Sequence, residues 1–254
     1  MNALHAFVFG IVEGLTEFLP VSSTGHLILS ERLMGLAHGD FLGSFEIAIQ
    51  LGAILAVVCL YWKKLILDIE IIKRITVAFI PTAILGLAFY KIIKKVLLGS
   101  ENVVLWSLLV GGIIIIVFEL LRKEKDIDIE EIKELSYKKS FMIGVFQSFA
   151  MIPGVSRSAA TIIGGLSLGL KRRTIVEFSF LLAVPTMAAA TALDLLKSAS
   201  SFTVSQFGLL FVGFVVSFFV AILAIKFLLH FVKNHNFIIF GVYRIIIAGL
   251  FLIF

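Results

Sequence analysis

Long apolar stretches dominate this chain and restrict it to a membrane. Hydrophobic residues make up 60% of its 254 residues, only 15% are charged, and the mean hydropathy is +1.09, far above the range of soluble domains. A helix needs about 20 apolar residues to cross a hydrocarbon core about 30 Å thick. Six windows of this kind predict spanning helices: 43–62, 75–98, 103–121, 174–196, 206–228 and 237–254. We therefore expect an all-α polytopic membrane protein.

Two further apolar segments, 3–36 and 140–170, are interrupted at their centres by Pro, Gly, Ser and Thr. The interruptions read LPVSSTGH and IPGVSRSAAT. Each half is too short to cross a bilayer, and unpaired backbone at membrane depth must be buried in protein or face water. The pattern predicts two re-entrant helix-break-helix segments whose breaks line one cavity.

The two broken segments resemble each other in sequence. With a shift of 134 residues, 7–36 and 141–170 align without a gap and are identical at seven of thirty positions. Both breaks stay in register, which indicates an internal duplication. We expect a single integral membrane domain over 1–254, with repeat 1 over about 3–121, a solvated, charged connector over about 122–139 and repeat 2 over about 140–254.

Basic residues cluster in three short loops, 63–74, 122–139 and 171–173. The positive-inside rule makes these loops cytoplasmic and places both termini on the outer face. Because three predicted spans separate the broken segments, the first enters from outside and the second from the cytoplasm, which is an inverted-topology repeat. The net charge of +5 is explained by this orientation, so no nucleic acid partner is expected.

Hydroxyl side chains follow each break at positions that cap a new helix. In the first segment Pro20 precedes Ser22, Ser23 and Thr24, and in the second Pro153 and Gly154 precede Ser156 and Ser158. Two helix N-termini would then point into the cavity with free N–H groups and positive dipole ends. This setting suits an anion.

Ionisable residues at membrane depth are costly and by default indicate function. Glu13 and Glu17 lie four residues apart and so share a helical face; the alternative is that they lie shallow and are merely solvated. Arg157 offers a planar donor fork that suits phosphate oxygens, and a structural pair with Glu13 or Glu17 is its alternative role. His26 shares a face with Ser22 and Ser23, and spacing leaves open whether it is a nucleophile, a general base or the base of a serine.

Carboxylates beside an anion site make electrostatic sense when a hard divalent cation joins them to phosphate. The combination fits metal-assisted phosphoryl transfer to water at a membrane. A substrate with an apolar tail is expected, because a water-soluble one needs no site among lipid-facing helices.

Two motifs resemble the signatures of the undecaprenyl-diphosphatases of the bacitracin-resistance (BacA, UppP) type. They are EGLTEFLPVSSTGHL (13–27) and PGVSRSAAT (153–161), and the resemblance extends to FEIAIQLGAILAVV (45–58) and EFSFLLAVPT (177–186). It implies hydrolysis of undecaprenyl diphosphate, a polyprenyl diphosphate lipid, to undecaprenyl phosphate and inorganic phosphate. It also implies recycling of the lipid carrier for cell-wall synthesis, bacitracin resistance, a requirement for Mg²⁺ or Ca²⁺, and a multi-pass protein of the bacterial cytoplasmic membrane with its active site open to the outer face.

The resemblance also assigns the site residues by motif position. It implies catalytic roles for Glu17, Ser23, His26 and Arg157 and metal binding by Glu13 and Glu17. The implied phosphate-binding residues are Ser22, Thr24, Gly25, Ser156, Arg157, Ser158 and Thr161. The family leaves open whether Ser23 or His26 attacks phosphorus, and we favour Ser23 with His26 as its base.

Two other functions use parts of the same pattern. A lipid-phosphate transporter or flippase also employs inverted repeats with broken helices, but it has no need of His26 beside Ser23 and a carboxylate pair. The acid-phosphatase-like lipid phosphatases carry Ser-Arg-x5-His, and Ser156-Arg157 is not followed by that His. Membrane lipid is an expected partner, and a homodimer is compatible with the sequence although no feature fixes it.

Overall fold

The computed structural model describes residues 1–36, 39–92, 100–122, 128–198 and 206–253. These residues are organised as ten α-helices. In chain order they are α1 (Ala3–Thr16), α2 (Ser23–Leu33), α3 (Asp40–Ile66), α4 (Ile69–Ile92), α5 (Glu101–Leu121), α6 (Tyr137–Ser148), α7 (Arg157–Ser167), α8 (Arg172–Ser198), α9 (Phe207–Phe231) and α10 (Ile238–Ile253). The prediction of an all-α polytopic membrane protein is confirmed.

Five of the described helices are long and apolar enough to cross a membrane, namely α3, α4, α5, α8 and α9. The sixth predicted span, 237–254, corresponds to α10, which has 16 residues. At 1.5 Å per residue it reaches about 24 Å, less than a hydrocarbon core. Of the predicted elements, residues 93–98 of the second span, 123–127 of the connector and Phe254 lie outside the described residues.

Each broken segment is a pair of short helices with an irregular turn between them. The break after α1 ends at Ser22, the N-cap of α2, whose side chain accepts a hydrogen bond from the Gly25 backbone N–H. The break after α6 ends at Ser156, the N-cap of α7, whose side chain accepts from the Ala159 N–H. Serine capping at both breaks is therefore confirmed.

The helices of the two halves pack in a reciprocal pattern. α1 packs along α9, and α6 packs along α4, while α3 contacts α8 and α5 packs along α10. Glycine permits the close approach at both equivalent crossings, as is common between membrane helices. A Cβ on Gly10 would lie 2.8 Å from the Gly213 carbonyl oxygen, and one on Gly144 would lie closer still to the carbonyl oxygen of Ala78. Neither crossing has room for a larger residue.

The connector between the halves is more than the solvated linker expected from its charge. Ile132 and Leu135 are buried in the core. Asp128 accepts from Arg122 at 2.7 Å, with both side chains at most 10% exposed. The described part of the connector is thus anchored by buried apolar side chains and contains a largely buried ion pair of its own.

Candidate active site

Both breaks line one cavity of about 240 Å³, as predicted. Side chains of α3, α4, α6 and α8 complete its wall. The lining residues are Glu17, Ser22, Ser23, Thr24, Gln50, Thr82, Gln147, Ala150, Met151, Pro153, Gly154, Ser156, Arg157, Thr186, Met187 and Ala190. The cavity therefore combines a carboxylate, a guanidinium and several hydroxyls at the start of two helices.

Glu17 lies at the centre of the polar contacts in this cavity. Ser23 Oγ donates a hydrogen bond to Glu17 Oε2 at 2.7 Å. Arg157 Nη2 donates to the other oxygen, Oε1, at 2.9 Å. The Glu17 and Arg157 side chains are only 9% and 10% exposed, so water screens their interaction weakly. One carboxylate thus connects a serine of the first segment to the arginine of the second.

Two of the three guanidinium nitrogens of Arg157 are hydrogen-bonded within the described residues. Its Nη1 donates to the Ser179 carbonyl oxygen at 2.8 Å and to Ser179 Oγ at 3.2 Å. The guanidinium carbon lies 5.5 Å from the centre of the Phe18 ring, a distance at which a cation and an aromatic face attract. The buried Nε has no hydrogen-bond partner within the described residues. A phosphate oxygen would satisfy that donor.

Several residues that the motifs assign to phosphate binding do not line the cavity. Ser158 Oγ donates to the Phe18 carbonyl oxygen at 2.8 Å, which ties α7 to the first break. Thr161 Oγ1 lies 2.6 Å from Ser179 Oγ. Gly25 packs against Leu108, and a Cβ there would approach the Leu108 side chain to 3.1 Å. These residues stabilise the packing of the helices around the cavity. By contrast, Ser22, Thr24 and Ser156 lie on the cavity wall.

His26 faces α10 rather than Ser23. Its Nδ1 lies 2.7 Å from the Ser22 carbonyl oxygen, which can only accept, so Nδ1 carries a proton. Its Nε2 lies 2.8 Å from the Tyr243 hydroxyl, and the two rings are stacked 5.5 Å apart. Within the described residues no hydrogen bond joins His26 to Ser23. Ser23 lines the cavity and His26 does not. The Ser23 hydroxyl therefore donates its hydrogen bond to Glu17 and not to His26, the base predicted from the sequence.

Glu13 lies one turn before Glu17 and is completely buried. Neither of its carboxylate oxygens has a hydrogen-bond partner within the described residues. A buried carboxylate needs compensation by a proton, a cation or donors. No cluster of three or more His, Cys, Asp or Glu able to hold a metal occurs in the described chain. Mg²⁺ can bind through one or two carboxylates plus substrate phosphate, and of these two acids Glu17 lines the cavity whereas Glu13 lies behind it.

Gln147 contributes a fixed acceptor that the motifs do not predict. Its amide nitrogen donates to Thr82 Oγ1 and Thr186 Oγ1, both at 2.9 Å. Those hydroxyls donate in turn to the carbonyl oxygens of Gly144 and Leu182, so the amide cannot be reversed. Gln147 Oε1 has no partner within the described part of the chain. Because Gln147 lines the cavity, Oε1 is the acceptor that it would offer to a bound molecule.

Arg244 and Tyr243 of α10 are the other residues that sequence reasoning missed. Arg244 is 0% exposed and hydrogen-bonds to backbone carbonyls of both breaks. The available signal was its position as the one arginine inside the predicted span 237–254, since ionisable residues at membrane depth indicate function.

The described chain combines five helices long and apolar enough to cross a membrane with a cavity in which a serine, a carboxylate and an arginine meet at the ends of three helices, α1, α2 and α7. Residues 6–250 match the sequence profile of the family described as bacitracin resistance protein BacA, and the chain belongs to that family. It is 55% identical over 248 residues to the undecaprenyl-diphosphatase of Aquifex aeolicus, covering 98% of this chain and 96% of the relative. It is 56% identical over 251 residues to the undecaprenyl-diphosphatase of a Sulfurihydrogenibium species, covering 99% and 98%. The family assignment made from the motifs is confirmed.

Proposed function

We propose that this protein hydrolyses undecaprenyl diphosphate to undecaprenyl phosphate and inorganic phosphate. The names of its relatives support the substrate, and the contact that carries the chemistry is the 2.7 Å hydrogen bond from Ser23 Oγ to Glu17. A serine hydroxyl becomes a nucleophile when an adjacent base accepts its proton. The base positioned for this is Glu17.

The terminal phosphate would bind between Arg157 and the N-termini of α2 and α7. Arg157 Nε lacks a partner among the described residues, and Nη2 is held only by Glu17. An arriving phosphate competes with Glu17 for Nη2. Once Arg157 turns to the phosphate, the Glu17 carboxylate would keep its hydrogen bond to Ser23 and have only that partner. Substrate binding would thus leave Glu17 paired with the nucleophile alone.

Ser23 Oγ would attack the terminal phosphorus while its proton passes to Glu17. The bond from that phosphorus to the bridging oxygen breaks, and the lipid monophosphate leaves with the bridging oxygen and takes up the proton from Glu17. Water would then attack the phosphorus of the phosphoserine and give a proton to Glu17, which returns it to Ser23 Oγ as the bond from phosphorus to Oγ breaks and inorganic phosphate departs. His26 holds the Ser22 carbonyl behind this reaction, which supports a positioning role.

Glu13 and Glu17 are the residues that would hold a divalent cation, Mg²⁺ or Ca²⁺. Such an ion supplies positive charge that stabilises the developing charge on phosphate oxygens. The support from this chain is Glu13, whose two buried oxygens have no hydrogen-bond partner within the described residues.

We further infer that the chain is an inverted-topology duplication with two re-entrant segments. Support comes from landmarks 134 residues apart: α1 and α6 begin at Ala3 and Tyr137, and α2 and α7 begin at Ser23 and Arg157. The loop charges favour both termini and the cavity opening on the outer face of the cytoplasmic membrane. In that position the enzyme would recycle the lipid carrier for cell-wall synthesis and give bacitracin resistance.

The test is phosphate release by purified protein in detergent from undecaprenyl diphosphate. We expect multiple turnovers with Mg²⁺ or Ca²⁺ and a loss of at least about 100-fold with EDTA. If no phosphate is released while vesicles containing the protein move a prenyl phosphate between leaflets, the chain is a flippase and the proposal is wrong.

A further inference from the structure

We propose that Arg244 is a positioning residue that fixes the two breaks relative to each other and thereby sets the geometry between Ser23 and Arg157. This inference rests on the proposed phosphatase function. Arg244 belongs to α10, outside both motifs, and does not line the cavity. It therefore acts through the backbone of the breaks and does not touch substrate.

Every N–H of the Arg244 guanidinium has an acceptor. Nε donates to the Leu108 carbonyl oxygen at 3.3 Å, and Nη2 donates to the carbonyl oxygens of Ser107 at 2.7 Å and Gly154 at 2.8 Å. Nη1 donates to Val155 at 2.9 Å and to Pro20 at 3.5 Å. Arginine has five such donors, and all five are used. Three separate segments, α5 and the two breaks, meet at one side chain.

The acceptors explain why a charged residue is buried here. Three of the five acceptors are carbonyls of the breaks, whose irregular backbone cannot satisfy them as a helix does and for which no lipid group can replace the missing donors. The other two acceptors, Ser107 and Leu108, lie within α5. Within the described residues the structure gives Arg244 only carbonyl oxygens and no carboxylate partner. Its charge is therefore uncompensated by an acid and adds to the positive potential around the two helix N-termini.

The three break carbonyls held by Arg244 lie just before the starts of the helices that bear the reactive groups. Gly154 and Val155 directly precede Ser156, the N-cap of α7, and Arg157 is the first residue of that helix. Pro20 lies two residues before Ser22, the N-cap of α2. A shift of the guanidinium would move α7 relative to α2. Misplacement of reacting groups by 1 Å can reduce catalysis about 100-fold.

Gly111 of α5 allows the guanidinium to be displaced without being removed. A Cβ on Gly111 would overlap Arg244 Nη2 and lie 2.9 Å from its central carbon. Gly111→Ala therefore keeps the charge of Arg244 and all of its carbonyl acceptors, but it displaces the guanidinium from those acceptors. Gly241→Ala is a matched control at the same α5–α10 interface, because its Cβ meets Ile116 at 2.7 Å and the Gly112 carbonyl at 2.8 Å. Gly249→Ala is a second control, since nothing lies within 4 Å of its Cβ.

The experiment measures kcat and KM for phosphate release in detergent, normalised to folded protein, together with the unfolding temperature. We expect Arg244→Lys, which has three donors on one atom, to lower kcat about 100-fold, and Gly111→Ala to lower it at least about 10-fold. Gly249→Ala should match wild type. Gly241→Ala should lower the unfolding temperature while kcat per folded molecule stays within about twofold of wild type. If Arg244→Lys does not fold, the kcat of Gly111→Ala alone tests the positioning role.

Two results would overturn the inference. One is a kcat for Gly111→Ala or folded Arg244→Lys within twofold of wild type. The other is an equal loss of kcat in Gly111→Ala and Gly241→Ala, which would assign the effect to helix packing. If wild type itself releases no phosphate, the proposed function fails separately. The positioning role is then decided by calorimetric binding of inorganic pyrophosphate, which Gly111→Ala should weaken about 10-fold and Gly241→Ala should not; an unchanged affinity in Gly111→Ala overturns it.

Discussion

Ser22 and Ser156 hold the same left-handed backbone conformation, with φ angles of +72° and +75°. Among the described residues they are the only positions other than glycine with positive φ. A non-glycine residue in this region costs about 1–3 kcal/mol and persists only where the surroundings enforce it. The strain is located where each broken segment turns to start the helix that faces the cavity, so it is linked to the site.

Two substitutions of Ser156 separate the effect of its cap hydrogen bond on stability from the effect of its backbone strain. Ser156→Ala loses the cap bond to the Ala159 N–H and retains the strained Cβ, so the free energy of unfolding should fall by about 1 kcal/mol. Ser156→Gly loses the same bond but relieves the strain, so it should be more stable than the alanine variant. Thermal unfolding in detergent compares the two. A glycine variant less stable than the alanine variant would refute this reading of the backbone.

Glu17→Gln should abolish turnover while the protein still folds. Glutamine keeps the size of the side chain but cannot take the Ser23 proton or balance the charge of Arg157, so we expect a loss of about 1,000-fold in kcat. Glu101→Gln is the matched control, because Glu101 pairs with Arg32 at the surface and is 48% exposed. Near-wild-type turnover by Glu17→Gln would exclude Glu17 as base and as metal ligand.

Arg157→Lys keeps the positive charge but loses the planar fork. The present guanidinium contacts Ser179 and Glu17 at once, and a single ammonium cannot also offer the equivalent of Nε to phosphate. We expect kcat/KM to fall about 100-fold in the phosphate-release assay. A silent substitution would show that Arg157 is only a structural partner of Glu17.

Gln147→Ala should raise KM more than it lowers kcat. The residue lies on the cavity wall with Oε1 as its remaining acceptor, and within the described residues no hydrogen bond joins it to Ser23 or Glu17. Loss of a ground-state contact of this kind should raise KM about fivefold. Thr76→Val is the control, since the Thr76 hydroxyl bonds only to its own helix at Ile72. A change confined to kcat would place Gln147 in the reaction itself.

The sequence predicts much of this site because its two motifs are local. Serines after a proline or glycine break favour N-caps, and Ser22 and Ser156 are caps. The ion pair between Glu17 and Arg157 is one of the two roles that the sequence predicts for the arginine. The aligned positions of the two breaks predict the single cavity that both line.

The remaining contacts depend on tertiary packing, which the spacing of residues along the sequence does not predict. His26 and Ser23 are three residues apart and share a helical face, yet His26 bonds to Tyr243, which is 217 residues away. Arg244 donates a hydrogen bond to the carbonyl oxygen of Ser107, which is 137 residues away in sequence. Only the position of Arg244 in an apolar run could have indicated it. The predicted span 237–254 and α10 nearly coincide, but α10 is shorter than the five helices long enough to cross a membrane.

The most direct test of the account is phosphate release from undecaprenyl diphosphate by wild type and Ser23→Ala, measured side by side with a divalent cation present. Ser23 Oγ is the group that would form the bond to phosphorus, and its only hydrogen bond within the described residues is to Glu17. The account predicts wild-type turnover and a loss of at least about 1,000-fold in Ser23→Ala at an unchanged unfolding temperature. Turnover by Ser23→Ala within about tenfold of wild type would contradict it.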